Sequence, residues 1–166
     1  MMDQKERFHT ILKDYGDKIF RVCRSYLYEA HLIDDLYQEV LVNIWRSLKN
    51  FRGESNPGTY VYRVTVNTII TFNRKEKHRK SLFVDALPEN ILHEHSEESP
   101  SELIEQLTRA ISRLPADERI IIGLYLEELS YKDIADVIGT NTNHVGVKIN
   151  RIKKKLSKMM EEYHGL

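Results

Sequence analysis

LSYKDIADVIGTNTNHVGVKINRIKKKL, residues 129–156, is the stretch on which the fold turns. Ser130 is a natural N-cap, and Asp133 three residues on completes a start of the capping-box type. Ile134, Ala135 and Ile138 give the buried face of a short helix, and Gly139 is the residue that can turn out of it. Asn141 is a second N-cap. After it Val145, Ile149, Ile152 and Leu156 recur at spacings of four, three and four, a single apolar stripe. The other faces carry Lys148, Arg151, Lys153, Lys154, Lys155 and Lys158, with no acidic residue between Gly146 and Met160. A short helix, a tight turn and a basic second helix make a helix-turn-helix, which lays side chains into a DNA major groove. An ordinary helical hairpin with a solvated lysine face is the alternative. The turn spacing, the small Ala135 and the one-signed charge favour DNA.

Working outward, the chain of 166 residues can hold one domain or two small ones. Its formal net charge is zero, but the average hides a segregation. Residues 1–80 hold 15 Lys/Arg against 10 Asp/Glu, residues 81–105 hold seven acidic residues and no Lys or Arg, and residues 129–166 hold seven basic against four acidic. Local charge decides phosphate contacts, so two basic lobes separated by an acidic segment remain compatible with nucleic acid. The single cysteine, Cys23, forbids an internal disulfide, fits a reducing compartment and falls on an apolar helix face, where it reads as core. With no N-terminal apolar segment and no run long enough to span a bilayer, a soluble cytoplasmic protein without membrane insertion is expected.

Phe8, Ile11, Leu12, Tyr15, Ile19, Cys23, Tyr26 and Leu27 mark a first amphipathic helix. A second is expected over 34–48, with Leu36, Val40, Leu41, Ile44 and Leu48 buried. FRGESNPG, residues 51–58, has loop composition. Residues 60–74 are ambiguous. Their Val, Thr and Ile content favours a strand, yet Val61, Val64, Thr68 and Phe72 make a helical core stripe, with Tyr60, Arg63, Asn67, Thr71 and Arg74 on another face. Residues 81–100 are acidic, carry Pro88 and Pro100 and read as a linker. The two histidines there, His93 and His95, lack a scaffold and make too weak a pair for a metal site. Ser99, Pro100 and Glu102 look like an N-cap, a first helical position and a capping-box partner. Leu103, Leu107, Ala110, Ile111 and Leu114 follow as a helix stripe. Pro115 then restarts the chain into a helix bearing Ile120, Ile121, Leu124 and Tyr125. The helix-turn-helix thus closes a four-helix domain over 101–166, large enough to fold.

Taken together these blocks resemble one family, the extracytoplasmic-function (ECF) sigma factors of the sigma-70 family, over nearly the whole chain. DDLYQEVLVNIWR (34–46) is similar to the family's acidic D-x-x-Q-E-V-F-x-x-x-W signature. FRGESNPGTYVYRVTVNTIITFNRKEKHRK (51–80) resembles the segment that melts and reads the −10 element. LPADERIIIGLYLEELSYKDIADVIG (114–139) and NTNHVGVKINRIKKKL (141–156) resemble the region that reads the −35 element. The order and spacing of the blocks carry the resemblance more than any single one. It implies an all-α protein of two small helical domains, residues 1–80 and 101–166, joined by the acidic linker 81–100, and it selects helix over strand for 60–74. It also implies a dissociable subunit that recognises promoters and initiates transcription with core RNA polymerase.

The resemblance assigns residues to three surfaces. Asp34, Asp35, Gln38, Glu39, Val42 and Arg46 line the helix that in the family docks on the β′ clamp of core polymerase; without the resemblance they read as a solvated helix start. Trp45 belongs either to that surface or to the core, and the core reading is preferred. Opening a duplex requires aromatic faces and pockets for splayed bases, with cations on the backbone. Phe51, Arg52, Ser55, Asn56, Tyr60, Tyr62, Arg63, Asn67, Thr71 and Arg74 supply that chemistry at the −10 element. Here the chain departs from a frequent family spelling, which has Trp where Tyr60 stands and Leu where Val61 stands, so the captured base is open and some tyrosines must serve the core. For the −35 element, Thr142, Asn143, Val147, Lys148 and Arg151 fall where base edges are reached, and Lys154 and Lys155, with Lys153 and Lys158, where phosphates or solvent are. His144 either meets a phosphate or supports the cap. The implied partners are promoter DNA, core polymerase through the β′ clamp and the β flap, and an anti-sigma factor. No phosphate-cradling loop, metal spacing or nucleophile motif suggests an enzyme, and no cofactor is expected. No further domain is expected before Met1 or after Leu166. Two rivals are weighed: a free-standing regulator, for which the DDLYQEV face and −10 block would be superfluous, and a protein-only adaptor, which would not need a basic recognition helix.

Overall fold

The computed structural model describes residues 2–27, 29–82, 101–163 and 165, and among these the chain forms seven helices and no strand. Helix α1 (Gln4–Tyr26) starts at a complete capping box: Glu6 N–H donates to Asp3 Oδ1 at 2.8 Å and Asp3 N–H donates to Glu6 Oε2 at 3.0 Å. Its face of Ile11, Ile19, Val22, Cys23 and Tyr26 is buried. Helix α2 (Ala30–Ser47) begins four residues before the expected Asp34, because Leu32 and Ile33 also enter the core.

Helix α3 (Pro57–Leu82) settles the ambiguity at 60–74 as helix. Asn56 caps it, accepting from Gly58 N–H at 2.9 Å, and Pro57 takes the first helical position, where its missing N–H is no loss. The β-branched residues are tolerated through specific contacts. Thr65 and Thr68 are buried, and each hydroxyl donates to the carbonyl four residues back, Val61 at 2.9 Å and Val64 at 2.8 Å. Val61, Val66, Ile69 and Phe72 fill the core alongside them. Burial of that face outweighs the local strand preference.

The C-terminal helices are α4 (Glu102–Ser112), α5 (Ala116–Leu126), α6 (Tyr131–Ile138) and α7 (Thr142–Tyr163). Helix α4 is capped at Ser101, not at Ser99 as expected; Ser99, Pro100 and the rest of 83–100, including His93 and His95, lie outside the described residues. The α6–α7 turn follows expectation. Asp133 N–H donates to Ser130 Oγ at 3.1 Å, Gly139 leaves α6 at φ 78°, and His144 N–H donates to Asn141 Oδ1 at 2.8 Å.

Helices α1, α2 and α3 pack together, as do α4 to α7, but the two groups also share one continuous core. Helix α5 lies on α1 and helix α6 on α3. Of the expected α5 stripe, Ile120, Ile121 and Leu124 are buried and Tyr125 is half-buried, while Ile122 and Gly123 on the remaining sides are buried as well. Over residues 120–124 helix α5 is apolar and buried on every side, as a segment covered by neighbours all round must be, while Asp117 and Leu126 at its ends are exposed. Among the described residues no helix is long and apolar enough to cross a membrane.

Candidate nucleic-acid interface

The apolar stripe of α7, Val145, Ile149, Ile152 and Leu156, is buried against its neighbours, and this fixes what the other faces can do. Asn143, Val147, Asn150, Arg151, Lys154 and Lys158 are all exposed and recur on the side opposite the stripe. Thr142 and His144 are exposed in the first turn, where the His144 backbone satisfies the Asn141 cap. Three cations turn instead toward α5. Lys148 Nζ donates to Asp117 Oδ2 at 2.9 Å and Lys155 Nζ to Glu118 Oε1 at 2.6 Å. Lys153 Nζ lies 4.5 Å from the centroid of the Tyr125 ring and donates to its hydroxyl at 2.7 Å. The hydrogen bond from Lys148 holds the Asp117 carboxyl below its ordinary range, and the bond to Tyr125 raises Lys153. Lys148 and Lys155, grouped by sequence with the DNA contacts, are therefore engaged within the protein. Asn150 escaped the sequence reading, although its spacing from Asn143, Val147 and Lys154 puts it on their face.

On α3 and the loop before it the aromatic candidates separate. Phe51 and Tyr60 are half-buried and pack on each other at 4.4 Å between ring centroids, with Tyr60 Oη donating to the Ser47 carbonyl at 2.9 Å. Tyr62 is buried, edge-to-face with Tyr15 at 6.0 Å, so the expectation that it meets a splayed base is corrected: the core occupies it. Burial raises its phenol well above the ordinary value. Arg52, Asn67, Thr71 and Arg74 are exposed, Ser55 is half-buried, and Asn56 serves the α3 cap. Ile70, exposed between Asn67 and Arg74, was missed because isoleucine reads as core. Arg63 is exposed but engaged: its Nη2 donates to the Asp136 carbonyl of α6 at 2.8 Å.

On α2, Asp34, Asp35, Gln38, Val42 and Arg46 are exposed on the face away from Leu36, Val40 and Ile44. Glu39 is half-buried and turned toward α3, 3.2 Å from Lys75 Nζ. Trp45, preferred as core, is instead 37% exposed beside Val42, its ring edge-to-face with Phe8 at 5.3 Å. Its indole is supported from one side and open on the other. That combination of acid, amide and apolar surface suits a protein partner.

The chain matches two families described as Sigma-70 region 2, over residues 11–79, and Sigma-70, region 4, over residues 104–156. It is 30% identical over 177 residues to the ECF RNA polymerase sigma-E factor of Escherichia coli, covering 96% of this chain and 88% of the relative. It is 25% identical over 173 residues to the ECF RNA polymerase sigma factor SigW of Bacillus subtilis, covering 95% of this chain and 91% of the relative. Its fold is similar to that of the sigma factor RpoE solved in complex with the anti-sigma factor NepR from Bartonella quintana. That match has a TM-score of 0.79 at 19% identity, over 93% of this chain and 97% of the other.

Proposed function

Because the chain belongs to the ECF RNA polymerase sigma factors, we propose that it is the promoter-recognising subunit of a bacterial polymerase and a transcription initiation factor, not an enzyme. In this reading α7 enters the major groove of the −35 element. Asn143, Val147, Asn150 and Arg151 address base edges, and Lys154 and Lys158 address phosphates. The single observation that carries it is the outward face of α7, which starts at the Asn141 cap and holds amide, apolar and cationic groups in register. Helix α3 and the preceding loop serve the −10 element through Arg52, Asn67, Ile70, Thr71 and Arg74, with the Phe51–Tyr60 pair as the stacking surface. Helix α2 docks on the β′ clamp through Asp35, Gln38, Val42, Trp45 and Arg46, region 4 meets the β flap, and an anti-sigma factor restrains the protein in the cytoplasm.

Reconstitution with core polymerase, followed by sequencing of transcript starts from a random-promoter library, tests this. The expected result is a shared motif pair near −10 and −35 that requires both proteins. Selective, tight binding by the isolated chain at physiological salt, with no gain on adding core, would refute it in favour of a free-standing regulator.

A further inference from the structure

The loop assigned above to the −10 element runs from the end of α2 to the start of α3, residues 48–56, and its Arg52, Gly53 and Glu54 are exposed. Among the described residues its hydrogen bonds lie at the two ends. At the first end Asn50 N–H donates to the Ser47 carbonyl at 3.0 Å and Phe51 N–H to the Leu48 carbonyl at 3.4 Å, with Leu48 itself buried. At the second, Gly58 N–H donates to Asn56 Oδ1 at 2.9 Å and Tyr60 N–H to the Asn56 carbonyl at 3.1 Å. Gly58 is buried, and a Cβ added there would come 3.0 Å from Tyr15 Oη and 3.2 Å from Tyr15 Cε1. The first turn of α3 is therefore seated closely on α1, and the second end of the loop is firm.

One side chain joins the two ends. Tyr60 Oη donates to the Ser47 carbonyl at 2.9 Å, across thirteen residues of chain. Ser47 closes α2, so its carbonyl is one of those that a helix end leaves without an intrahelical partner. The Asn50 amide and the phenol of Tyr60 share that oxygen, which has a lone pair for each. The same ring carries Phe51, with the two centroids 4.4 Å apart and the planes 38° from parallel. Tyr60 thus fixes both the backbone from which the loop departs and the first aromatic side chain on it. This chemistry belongs to the phenol. The frequent family spelling has Trp at this position, and the only donor of Trp is an N–H on the flank of the indole, not an oxygen at the tip of a ring.

We propose that Tyr60 is a positioning residue for −10 recognition: its hydroxyl pins the end of α2 to α3 and holds Phe51, Arg52 and Ser55 where they meet the displaced strand. The inference deepens the −10 assignment proposed above and rests on it. A loop discriminates between bases only as well as it is held, because a binding group displaced by about 0.5 Å no longer meets its partner in the productive geometry. Asn56 and Gly58 hold the loop at α3 alone, whereas Tyr60 ties it to both helices.

Tyr60→Phe is the test, since it removes one oxygen and leaves the ring against Phe51. Reconstituted holoenzyme carrying wild type or variant is compared on all single-base variants of the −10 and −35 elements at one salt concentration, with permanganate reactivity of thymines reporting the opened duplex. The variant should relax preference about 2- to 10-fold at one or two −10 positions, the size of one lost hydrogen bond. Its −35 preference and the amount of core polymerase bound should match the wild type. A purely structural role would lower opening evenly on every promoter, so an even loss, or an unchanged −10 preference, overturns the positioning role. Hydrogen exchange on the free full chain tests the tie without reference to transcription. Exchange over residues 48–53 should quicken in Tyr60→Phe while residues 62–72 keep wild-type protection, and unchanged exchange over 48–53 overturns the tie itself. Failure of the wild type to open any promoter with core polymerase would instead overturn the proposed function, and the exchange result would still decide the tie.

Discussion

Lys148→Ala and Arg151→Ala differ by one turn of α7, and the structure assigns them opposite outcomes. Lys148 Nζ is 2.9 Å from Asp117 Oδ2, with the side chains 31% and 62% exposed. A pair this open to solvent contributes about 0–1 kcal/mol. Removing Lys148 should therefore weaken −35 binding at most about fivefold, and evenly across sequences. Arg151 is exposed on the outward face, where a bidentate contact to guanine discriminates by about 1–3 kcal/mol, about 5- to 150-fold at one position. The assay is competition binding of reconstituted holoenzyme against all single-base −35 variants at one fixed salt concentration. Lys148→Ala should preserve the rank order of sites, and Arg151→Ala should flatten one or two positions. Asp117→Asn is the control: it frees Lys148 and should change affinity little. A loss of tenfold or more at one base on Lys148→Ala, with an even loss on Arg151→Ala, would reverse the assignment and make Lys148 the reader.

Three further outcomes follow from the same geometry. Asp35→Arg should abolish co-purification with core polymerase with an unchanged circular dichroism spectrum, since Asp35 is exposed and outside the core; reversing Glu39 is a poorer probe because it also breaks the bridge to Lys75. Asp117 has its carboxyl lowered by Lys148, so its contribution to stability is present above the ordinary carboxylate value of about 3.9 and is lost as pH falls through the lower folded value. Acid titration of Lys148→Ala should accordingly lose less stability over that window than the wild type. Burial pushes the Cys23 thiol up to about 12, so it should resist a thiol reagent at pH 8 in the folded chain and react promptly in denaturant.

Where periodicity was strong, the sequence was a sufficient guide. The Ser130 and Asn141 caps, the Gly139 turn and the Val145 to Leu156 stripe are all local signals, and local signals survive folding intact. Residues 60–74 were legible only with the family resemblance, because Val, Thr and Ile favour strands until Thr65 and Thr68 bond back to their own helix. Trp45 and Tyr62 were placed the wrong way round for a related reason. Both are large aromatics, and only the partners that happen to cover them, Phe8 on one edge of Trp45 and the core around Tyr62, decide exposure. The packing of α5 on α1 had a visible signature in IIIGL, residues 120–124, apolar on every side, which a reading of stripes alone discards.

The zero net charge is a matter of counts, 25 Lys/Arg against 25 Asp/Glu, and what decides DNA contact is where each cation of α7 is held. Of the six cations from Lys148 to Lys158 on α7, Lys148, Lys153 and Lys155 are met by Asp117, Tyr125 and Glu118 of α5. Arg151, Lys154 and Lys158 point the other way and are exposed. Asp117, Glu118 and Tyr125 thus draw three cations onto α5 and leave the outward face with the others. Each cation that reaches a phosphate adds about 0.9 to the salt slope of binding, so it is the outward set, and not the lysine count of the helix, that governs how strongly this region holds DNA. The same helix that sorts these charges also brings Gly123, and Glu127 at its C-cap, onto α1.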